Sequence, residues 1–326
     1  MLASFFYRLE IVEKREFFVF MSKKIKTLKN WDFLTALSNR RLSTHNMCTW
    51  YKLDWSIDRI TIVGDLAYDL DMLGDYLVER GFAKESYNGF NLVDRYEENI
   101  AFFEMVKFHD SKGRIDFNPT KLGTFVDSDI KGFIHEIFIQ PHFSRADVAC
   151  DIYNLPDELV NQYQMADAIS YRPIYGRSGE VETMYWGSRS SERQVRLYNK
   201  YIEQGRKKQY IHDDVKTWWR LEVQLRRSKA SEWNKVLTET LESFCALEFM
   251  PVDWSATDKI MLTGLKNNHG LWGEMHRNTR PKYRKKLKEI AKHDELTKEL
   301  KKSFVEYQNK LKEELDSWLI GIDVTE

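Results

Sequence analysis

One tyrosine stands between basic residues in a segment where apolar and polar positions alternate. In RQVRLYNK, the alternation places Arg196, Tyr198 and Lys200 on one face of a strand. Positive charge on both sides favours the phenolate and attracts a phosphodiester to the same place. The pattern predicts a tyrosine nucleophile, Tyr198, with Arg196 and Lys200 as its catalytic neighbours. Upstream, Arg189 is either a catalytic phosphate clamp or an ion-pair partner of Glu192.

Carboxylates and arginines alternate in the same way in two further segments. One strand face of SRADVACDI holds Arg145, Asp147 and Asp151, and one face of WRLEVQLR holds Arg220 and Glu222. Carboxylate oxygens favour Mg²⁺ or Mn²⁺, which would polarise a phosphate. Asp147 and Asp151 are about 13 Å apart along an extended strand, so Asp147 with Glu222 is the better metal pair. Asp151 is a ligand only if it reaches the site from the strand end. Arg145 and Arg220 are candidate DNA contacts.

A simpler interpretation of each of these strands is that an antiparallel sheet has one solvated face. Three strands that together carry carboxylates, arginines and one tyrosine favour a functional site, provided that they pair in one sheet. Hydrophobic periodicity predicts strands in IDRITIV, NIAFFEMVKFH, GRIDFNP, SRADVACDI, YRPIY, ETMYWG, RQVRLYN and TWWRLEVQLRR.

Helical spacing predicts helices over residues 67–81, 121–138 and 156–169. Beyond about Ser228 the chain is predicted to be helical and to end in one amphipathic stretch from Arg284 to Ile320. These elements predict an α+β fold, with a central, mainly antiparallel sheet, flanking helices and a helical C-terminal region.

Three regions are predicted along the chain. Residues 1–55 form an N-terminal extension and basic lead-in, and we expect residues 1–20 to lie outside the functional fold because Met21 opens an ordinary start. Residues 56–227 form a catalytic sheet domain. Residues 228–326 form a helical region for DNA recognition, with a possible dimer contact on the terminal helix.

The composition limits the functional classes. With 50 basic and 50 acidic residues the net charge is zero, so nucleic-acid binding must depend on local clustering. The three cysteines form no CxxC pair, which suits a reducing cytoplasm and argues against a disulfide framework or a cysteine-rich zinc site. No stretch is long and apolar enough for a membrane span, so we expect a cytoplasmic protein.

One local basic cluster is present near the C-terminus. Seven basic residues follow Met275 with no acidic residue between them, beside Trp272: Arg277, Arg280, Lys282, Arg284, Lys285, Lys286 and Lys288. The cluster is either a set of phosphate contacts or the solvated start of a helix. The apolar stripe that follows on the terminal helix is more typical of a core than of a dimer interface.

These segments together resemble the plasmid rolling-circle replication initiators of the staphylococcal trans-acting Rep family, the replication initiation factor family. The resemblance is carried by SIDRITIVGDL, RIDFNPTKL, FSRADVACDIY, IYGRSGEVETMYWGSRSSERQVRLYNKYIE, WWRLEVQLRR and WGEMHRNTRPKYRKK. This chain departs from the family pattern at Asp116, where relatives often have Glu. The resemblance favours DNA contact as the role of the basic cluster.

The resemblance implies that Tyr198 is the nucleophile that nicks one strand at a double-strand origin. It further implies a 5′-phosphotyrosine link and a free 3′-hydroxyl that primes replication. A metal-dependent homodimer, a host superfamily-1 helicase as partner and origin recognition in the C-terminal third are also implied. The ligands are then double-stranded origin DNA and its single-stranded nicked product.

Two alternatives remain at this stage. A relaxase of an integrative and conjugative element would use the same nicking chemistry at a transfer origin, and sequence alone separates it poorly from an initiator. A protein that binds an origin or operator without cutting it belongs to another class. The set of Tyr198, Asp147 and Glu222 argues against that class, because binding alone does not require it.

Overall fold

The computed structural model describes residues 51–319 except 80, 95, 107–110, 123 and 169. The predicted extension over residues 1–20 and nearly all of the basic lead-in lie outside the described residues. Within the described range, strand β1 begins at Lys52, five residues before the strand that periodicity predicts. The division at residue 227 stays a prediction.

A ten-stranded sheet forms the centre of the described region. Its strands are β1 (Lys52–Leu66), β2 (Ala83–Ser86), β3 (Gly89–Val93), β4 (Asn99–Met105), β5 (Lys112–Phe117), β6 (Phe138–Tyr153), β8 (Tyr171–Tyr175), β9 (Val181–Trp186), β10 (Arg193–Asn199) and β11 (Trp218–Arg226). Their order across the sheet is β2-β3-β4-β5-β1-β6-β11-β10-β9-β8. All of these neighbours pair antiparallel, which confirms the predicted α+β fold.

Helices flank this sheet and make up most of the C-terminal part. They are α1 (Leu70–Glu79), α2 (Thr124–Ile137), α3 (Asp157–Val160), α4 (Lys200–Arg206), α5 (Ser228–Ser231), α6 (Trp233–Ser243), α7 (Ala256–Asn267), α8 (Leu271–Glu274), α9 (Arg280–Ile290) and α10 (Glu295–Asp316). Short 3₁₀ turns span Pro119–Lys121 and Leu247–Phe249. In the described range no helix has the length and apolarity to cross a bilayer.

Helix α10 covers one face of the sheet through its apolar stripe. The Phe304 and Trp55 rings have centroids 5.3 Å apart, and the ring of Trp318, in the turn after α10, lies 4.7 Å from that of Phe117. The Nε1 of Trp55 also donates to the Ser303 hydroxyl at 3.1 Å. The stripe therefore packs in the core of this chain. The opposite face of β6, β10 and β11 is left for their polar side chains.

A bulge in β1 adjusts which side chains face the core. The register against β6 shifts between Ile57 and Arg59, so that Asp58 is the extra residue. Ile57 and Ile60 are three positions apart, a spacing that would place them on opposite faces of a regular strand, yet both are fully buried. The extra residue keeps both on the apolar face, because a bulge offsets the strict alternation of a strand.

The predicted helix over residues 156–169 is wrong beyond its first turn. Helix α3 ends at Val160, and β7 (Tyr163–Met165) follows and pairs with β12 (Phe244–Ala246) in a two-stranded ribbon. The Tyr163 ring stacks on that of Phe244 with centroids 4.5 Å apart. Pairing and stacking with a segment about eighty residues away override the local helical spacing.

The predicted continuous helix from Arg284 to Ile320 is also wrong, because α9 and α10 are separate helices. Asp294 lies between them, fully buried, and caps α10 by accepting from the Thr297 N–H at 3.2 Å. Its carboxylate also accepts from the Ala246 N–H at 2.8 Å and from the Tyr163 hydroxyl at 3.3 Å. One buried carboxylate thus joins the helix start to the β7–β12 ribbon.

Removal of the Asp294 carboxylate is expected to destabilise the fold. Asp294→Ala leaves three buried donors without their acceptor, and one such group costs about 1–3 kcal/mol, so we expect a loss of about 3 kcal/mol. Burial raises the pKa of Asp294, so neutral Asn, which keeps an acceptor oxygen, should lose clearly less. Urea unfolding of both variants measures this. Equal losses in the two variants would contradict the role of the acceptor.

Candidate active site

Strand pairing brings the three predicted segments side by side as β6, β11 and β10. Tyr198 lies opposite Arg220, which in turn lies opposite Asp151. Two residues before Tyr198 on β10, Arg196 lies opposite Glu222 of β11. Opposite partners of an antiparallel pair project from the same face. The candidate nucleophile, two arginines and two carboxylates therefore share one surface of the sheet.

Tyr198 is the second-last residue of β10, and its side chain is only 7% exposed. Lys200 was predicted on the same strand, but it is the first residue of α4, which Asn199 caps by accepting from the Ile202 N–H at 2.9 Å. The Lys200 ammonium nevertheless donates to the Tyr198 hydroxyl at 3.4 Å. The Arg196 guanidinium lies 4.2 Å from the centre of the Tyr198 ring.

The surrounding arginines favour the phenolate as expected, but burial outweighs them in the protein alone. Burial raises the pKa of Tyr198 well above its ordinary value, because the charged form loses its hydration. Arg220 and Arg196 lower that pKa, while Glu222 and Glu203 raise it. The cations therefore offset only part of the cost of burial.

Each of the three predicted metal ligands accepts hydrogen bonds from an arginine. Arg145 donates to Asp147 through Nε at 2.9 Å and Nη2 at 2.6 Å. Arg196 pairs with Glu222. Arg145, a predicted DNA contact, is thus the ion-pair partner of a predicted metal ligand.

Arg220, the other predicted DNA contact on the sheet, holds two carboxylates. Its Nε and Nη2 donate to Asp151, each at 2.7 Å, and its Nη1 donates to Asp58 at 2.7 Å. Asp58 reaches this arginine from β1, across β6, where Ala149 has only a methyl side chain. The sequence prediction missed Asp58, although the odd spacing of the apolar residues Ile57 and Ile60 is the signal of the bulge that places it.

Asp147, Glu222 and Asp151 all have the oxygen donors that a divalent cation prefers, and the charges of the first two interact. Burial, together with the nearby charge of Glu222, raises the pKa of Asp147 to about 7 although Arg145 lowers it, and the effect of Glu222 is expected of two carboxylates that share a site. Both oxygens of Asp151, like those of Asp147, already accept from an arginine. Among the described residues no cluster of three or more His, Cys, Asp or Glu could hold a metal ion.

The raised pKa of Asp147 gives an expected pH dependence of stability. Between about pH 4, the ordinary carboxyl pKa, and about 7, the folded chain keeps a proton that the unfolded chain has released. The contribution of this group to stability therefore falls as pH rises through that window and is constant above it. Thermal unfolding at pH 5 and pH 8 checks this: Asp147→Asn should gain more stability at pH 8. An equal change at both pH values would contradict it.

Arg189 does not pair with Glu192 in the part of the chain that the structure describes. It is exposed in the turn after β9. Glu192 instead lies 3.8 Å from Arg227 and accepts from the Ser228 hydroxyl at 3.4 Å. Of the two roles considered for Arg189, the ion pair with Glu192 is therefore wrong.

The basic cluster lies on α9 and the turn before it, where its members differ in exposure. Lys282 and Lys286 both pair with Asp258 of α7, at 3.1 and 3.2 Å. Arg280 donates to the backbone carbonyls of Gly273 and Met275. Arg284 is partly buried, its guanidinium 5.9 Å from the Trp272 ring centre. The exposed members of the cluster are Arg277, Lys282, Lys285 and Lys288.

Comparison with known proteins gives a consistent result. The family model described as replication initiation factor matches residues 141–248. A replication initiation protein of Staphylococcus aureus is 31% identical over 300 residues, which cover 87% of this chain and 91% of that protein. A second one from the same organism is 31% identical over 299 residues, covering 87% and 90%. The chain therefore belongs to the replication initiation factor family, which confirms the resemblance of its motifs.

A solved structure is similar at a lower level. It is the rolling circle replication initiator protein from Geobacillus stearothermophilus, matched over 64% of this chain and 90% of that chain with 18% identity and a TM-score of 0.41.

Proposed function

We propose that this protein initiates rolling-circle replication by nicking one strand of its plasmid origin through Tyr198. The observation that carries the proposal is the set of cations around Tyr198. Arg220 lies opposite Tyr198 on the neighbouring strand, Arg196 lies beside it, and the Lys200 ammonium is 3.4 Å from the Tyr198 hydroxyl. A phenol surrounded by three cations is suited to receive a phosphodiester. Family membership and the motifs around Tyr198 support the same reaction.

In the proposed reaction the Tyr198 hydroxyl gives its proton to solvent water, and its oxygen attacks the scissile phosphorus. A bond forms between this oxygen and phosphorus, and the bond from phosphorus to the 3′-oxygen breaks. The 3′-oxygen takes up a proton and leaves as a free hydroxyl, which serves as the primer. The 5′-phosphate stays on Tyr198, so the phosphodiester energy is retained for rejoining.

Lys200, Arg196 and Arg220 would supply the positive charge that this reaction needs. Lys200 is held by Glu203, to which it donates at 2.6 Å, and burial lowers its own pKa. A cation fixed next to the hydroxyl stabilises the phenolate without reorganisation during the reaction. Arg189, exposed on the turn before β10, would contact the phosphate once DNA is bound.

We propose that Asp147 and Glu222 hold a divalent metal, Mg²⁺ or Mn²⁺, after their arginines are displaced. The metal would polarise the phosphate as a Lewis acid. We propose a different role for Asp151, which the sequence also predicts as a metal ligand. Its carboxylate would orient Arg220.

The test of the function is incubation with a supercoiled plasmid that carries the cognate origin, with Mg²⁺ or Mn²⁺ added. A nicked circle with protein bound covalently to its 5′ end supports the proposal. Duplex binding without nicking would favour the non-catalytic binding protein. Nicking only of a plasmid that carries a transfer origin would favour the conjugative relaxase.

The exposed part of the basic cluster is proposed to contact the phosphates of the duplex origin. We expect that replacing Arg277, Lys285 and Lys288 with Ala weakens duplex binding and lowers its salt dependence. The slope of log K against log salt should fall by about 0.9 for each lost phosphate contact. Binding isotherms at several salt concentrations measure this. The matched control replaces three exposed lysines of α10, Lys298, Lys302 and Lys310. The same slope in both triple variants would reject this surface.

The family resemblance further supports two partners, a second copy of this chain and a superfamily-1 helicase of the host. Sedimentation of the free protein would test the homodimer. Unwinding of a nicked origin plasmid by the purified helicase, with and without this protein, would test the second partner.

A further inference from the structure

Two aromatic rings lie on the polar face of the sheet, one on β11, which pairs with the strand of Tyr198, and one on β6, the next strand beyond it. Trp218 precedes Arg220 by two residues on β11 and pairs with Tyr153 of β6. Since Tyr198 lies opposite Arg220, Trp218 is its diagonal neighbour, at a separation within reach of aromatic side chains. The two rings therefore adjoin the candidate active site.

The rings form a tilted pair with a cation beside them. Their centroids are 5.2 Å apart, with 32° between the ring planes. Lys52, opposite Tyr153 on β1, has its ammonium 5.5 Å from the centre of the Tyr153 ring. The Trp218 Nε1–H donates to Asp151 at 2.8 Å, which fixes the orientation of the indole. The indole of the pair is thus held in place by the same carboxylate that positions Arg220.

The accessibility of the pair separates it from ordinary core packing. Trp219, the next residue, points to the apolar face and is 2% exposed. Trp218 and Tyr153 are both partly exposed, and Lys52 is exposed. Partly exposed aromatic rings beside cations are the surface on which proteins stack the bases of single-stranded DNA. Bases within a duplex are already stacked on each other, so only an unpaired base has its faces free.

We infer that Trp218 and Tyr153, with Lys52 beside them, form a stacking platform for an unpaired nucleobase of the DNA strand. This inference rests on the proposed function in taking that strand to be the one whose phosphate Tyr198 attacks. The platform would hold the nucleotide next to the scissile phosphate in single-stranded form, while the arginines bind its backbone.

The test compares two short single strands of equal length, oligothymidylate and its abasic analogue, which has the same phosphates but no bases. Fluorescence anisotropy without added metal measures binding, and it requires neither the origin sequence nor cleavage. Trp218→Leu and Tyr153→Leu should each weaken oligothymidylate binding about tenfold and leave binding of the abasic strand unchanged. Equal losses on both strands, or no loss on oligothymidylate, would overturn the platform.

Two further variants separate stacking from a structural effect. Trp218→Phe keeps a ring but loses the hydrogen bond to Asp151, so it should retain most of the affinity for oligothymidylate. If it binds as weakly as Trp218→Leu, the hydrogen bond is responsible and the platform is rejected. Tyr175→Leu, at a 60% exposed tyrosine of β8, is the matched control and should bind both strands like the wild type.

The two hypotheses can fail independently. A protein that discriminates the two strands through Trp218 but never nicks a plasmid would reject the proposed function and keep the platform. A protein that nicks but binds both strands equally would reject the platform alone.

Discussion

Tyr198→Phe is expected to abolish the covalent protein–DNA adduct while leaving duplex binding intact. The substitution removes only the attacking oxygen, and Phe keeps the ring against which the Arg196 guanidinium packs at 4.2 Å. The side chain is 7% exposed, so the rest of the ring should pack as before. The loss of adduct should be complete, because no group in the variant can replace the attacking oxygen at that position.

The adduct is measured as protein that stays with plasmid DNA after denaturation in detergent. Tyr201→Phe is the matched control, since Tyr201 follows three residues later on α4 and is 41% exposed. The control should form the adduct at the wild-type level. An adduct that survives in Tyr198→Phe would reject the nucleophile, and Tyr201 and Tyr185 would be the next candidates.

Arg220→Met is expected to cause the largest loss of stability among substitutions in the site. The arginine side chain is 11% exposed, and its two partners, Asp151 and Asp58, are 10% and 20% exposed. Its removal leaves one buried and one partly buried carboxylate without their cation, and breaking a buried pair typically costs about 3–5 kcal/mol. Nicking should also be lost, because Arg220 lies opposite Tyr198 and lowers its pKa.

A double variant separates the loss of the cation from a loss of packing. Arg220→Met combined with Asp151→Asn removes one of the orphaned charges, so it should recover part of the stability in urea unfolding. Arg189→Met, at an exposed arginine, is the control and should unfold like the wild type. If the double variant is less stable than Arg220→Met alone, the ion pair does not account for the loss.

The polar face of the sheet could be predicted from alternation because each of its strands keeps one apolar face. Val195 and Leu197 on β10, and Leu221 and Val223 on β11, are buried. The register of strands in a half-buried sheet is set by such patterns, since a shift of one residue would expose the apolar side chains. The sequence therefore indicated that Tyr198, Arg220 and Glu222 project from polar faces.

The burial of that face could not be predicted in the same way. Alternation treats the polar face as solvated, but Tyr198, Asp147 and Glu222 are all buried. Desolvation then decides the sign of the pKa shift, so Tyr198 has a raised pKa despite its cationic neighbours. The same burial raises the pKa of Asp147 to about 7.

Local patterns thus determined eight of the twelve strands in the described residues, the α+β class, the polar position of Tyr198 and, with the family motifs, the replication initiation factor family. The tertiary structure alone decided that Asp58 reaches Arg220 through a bulge, that Asp294 divides the C-terminal helix and that Trp218 lies beside Tyr198. The physical reason is the distance along the sequence over which each interaction acts. Periodicity records which side chains a strand or helix must bury, whereas ion pairs, caps and ring contacts depend on segments that only the folded chain brings together.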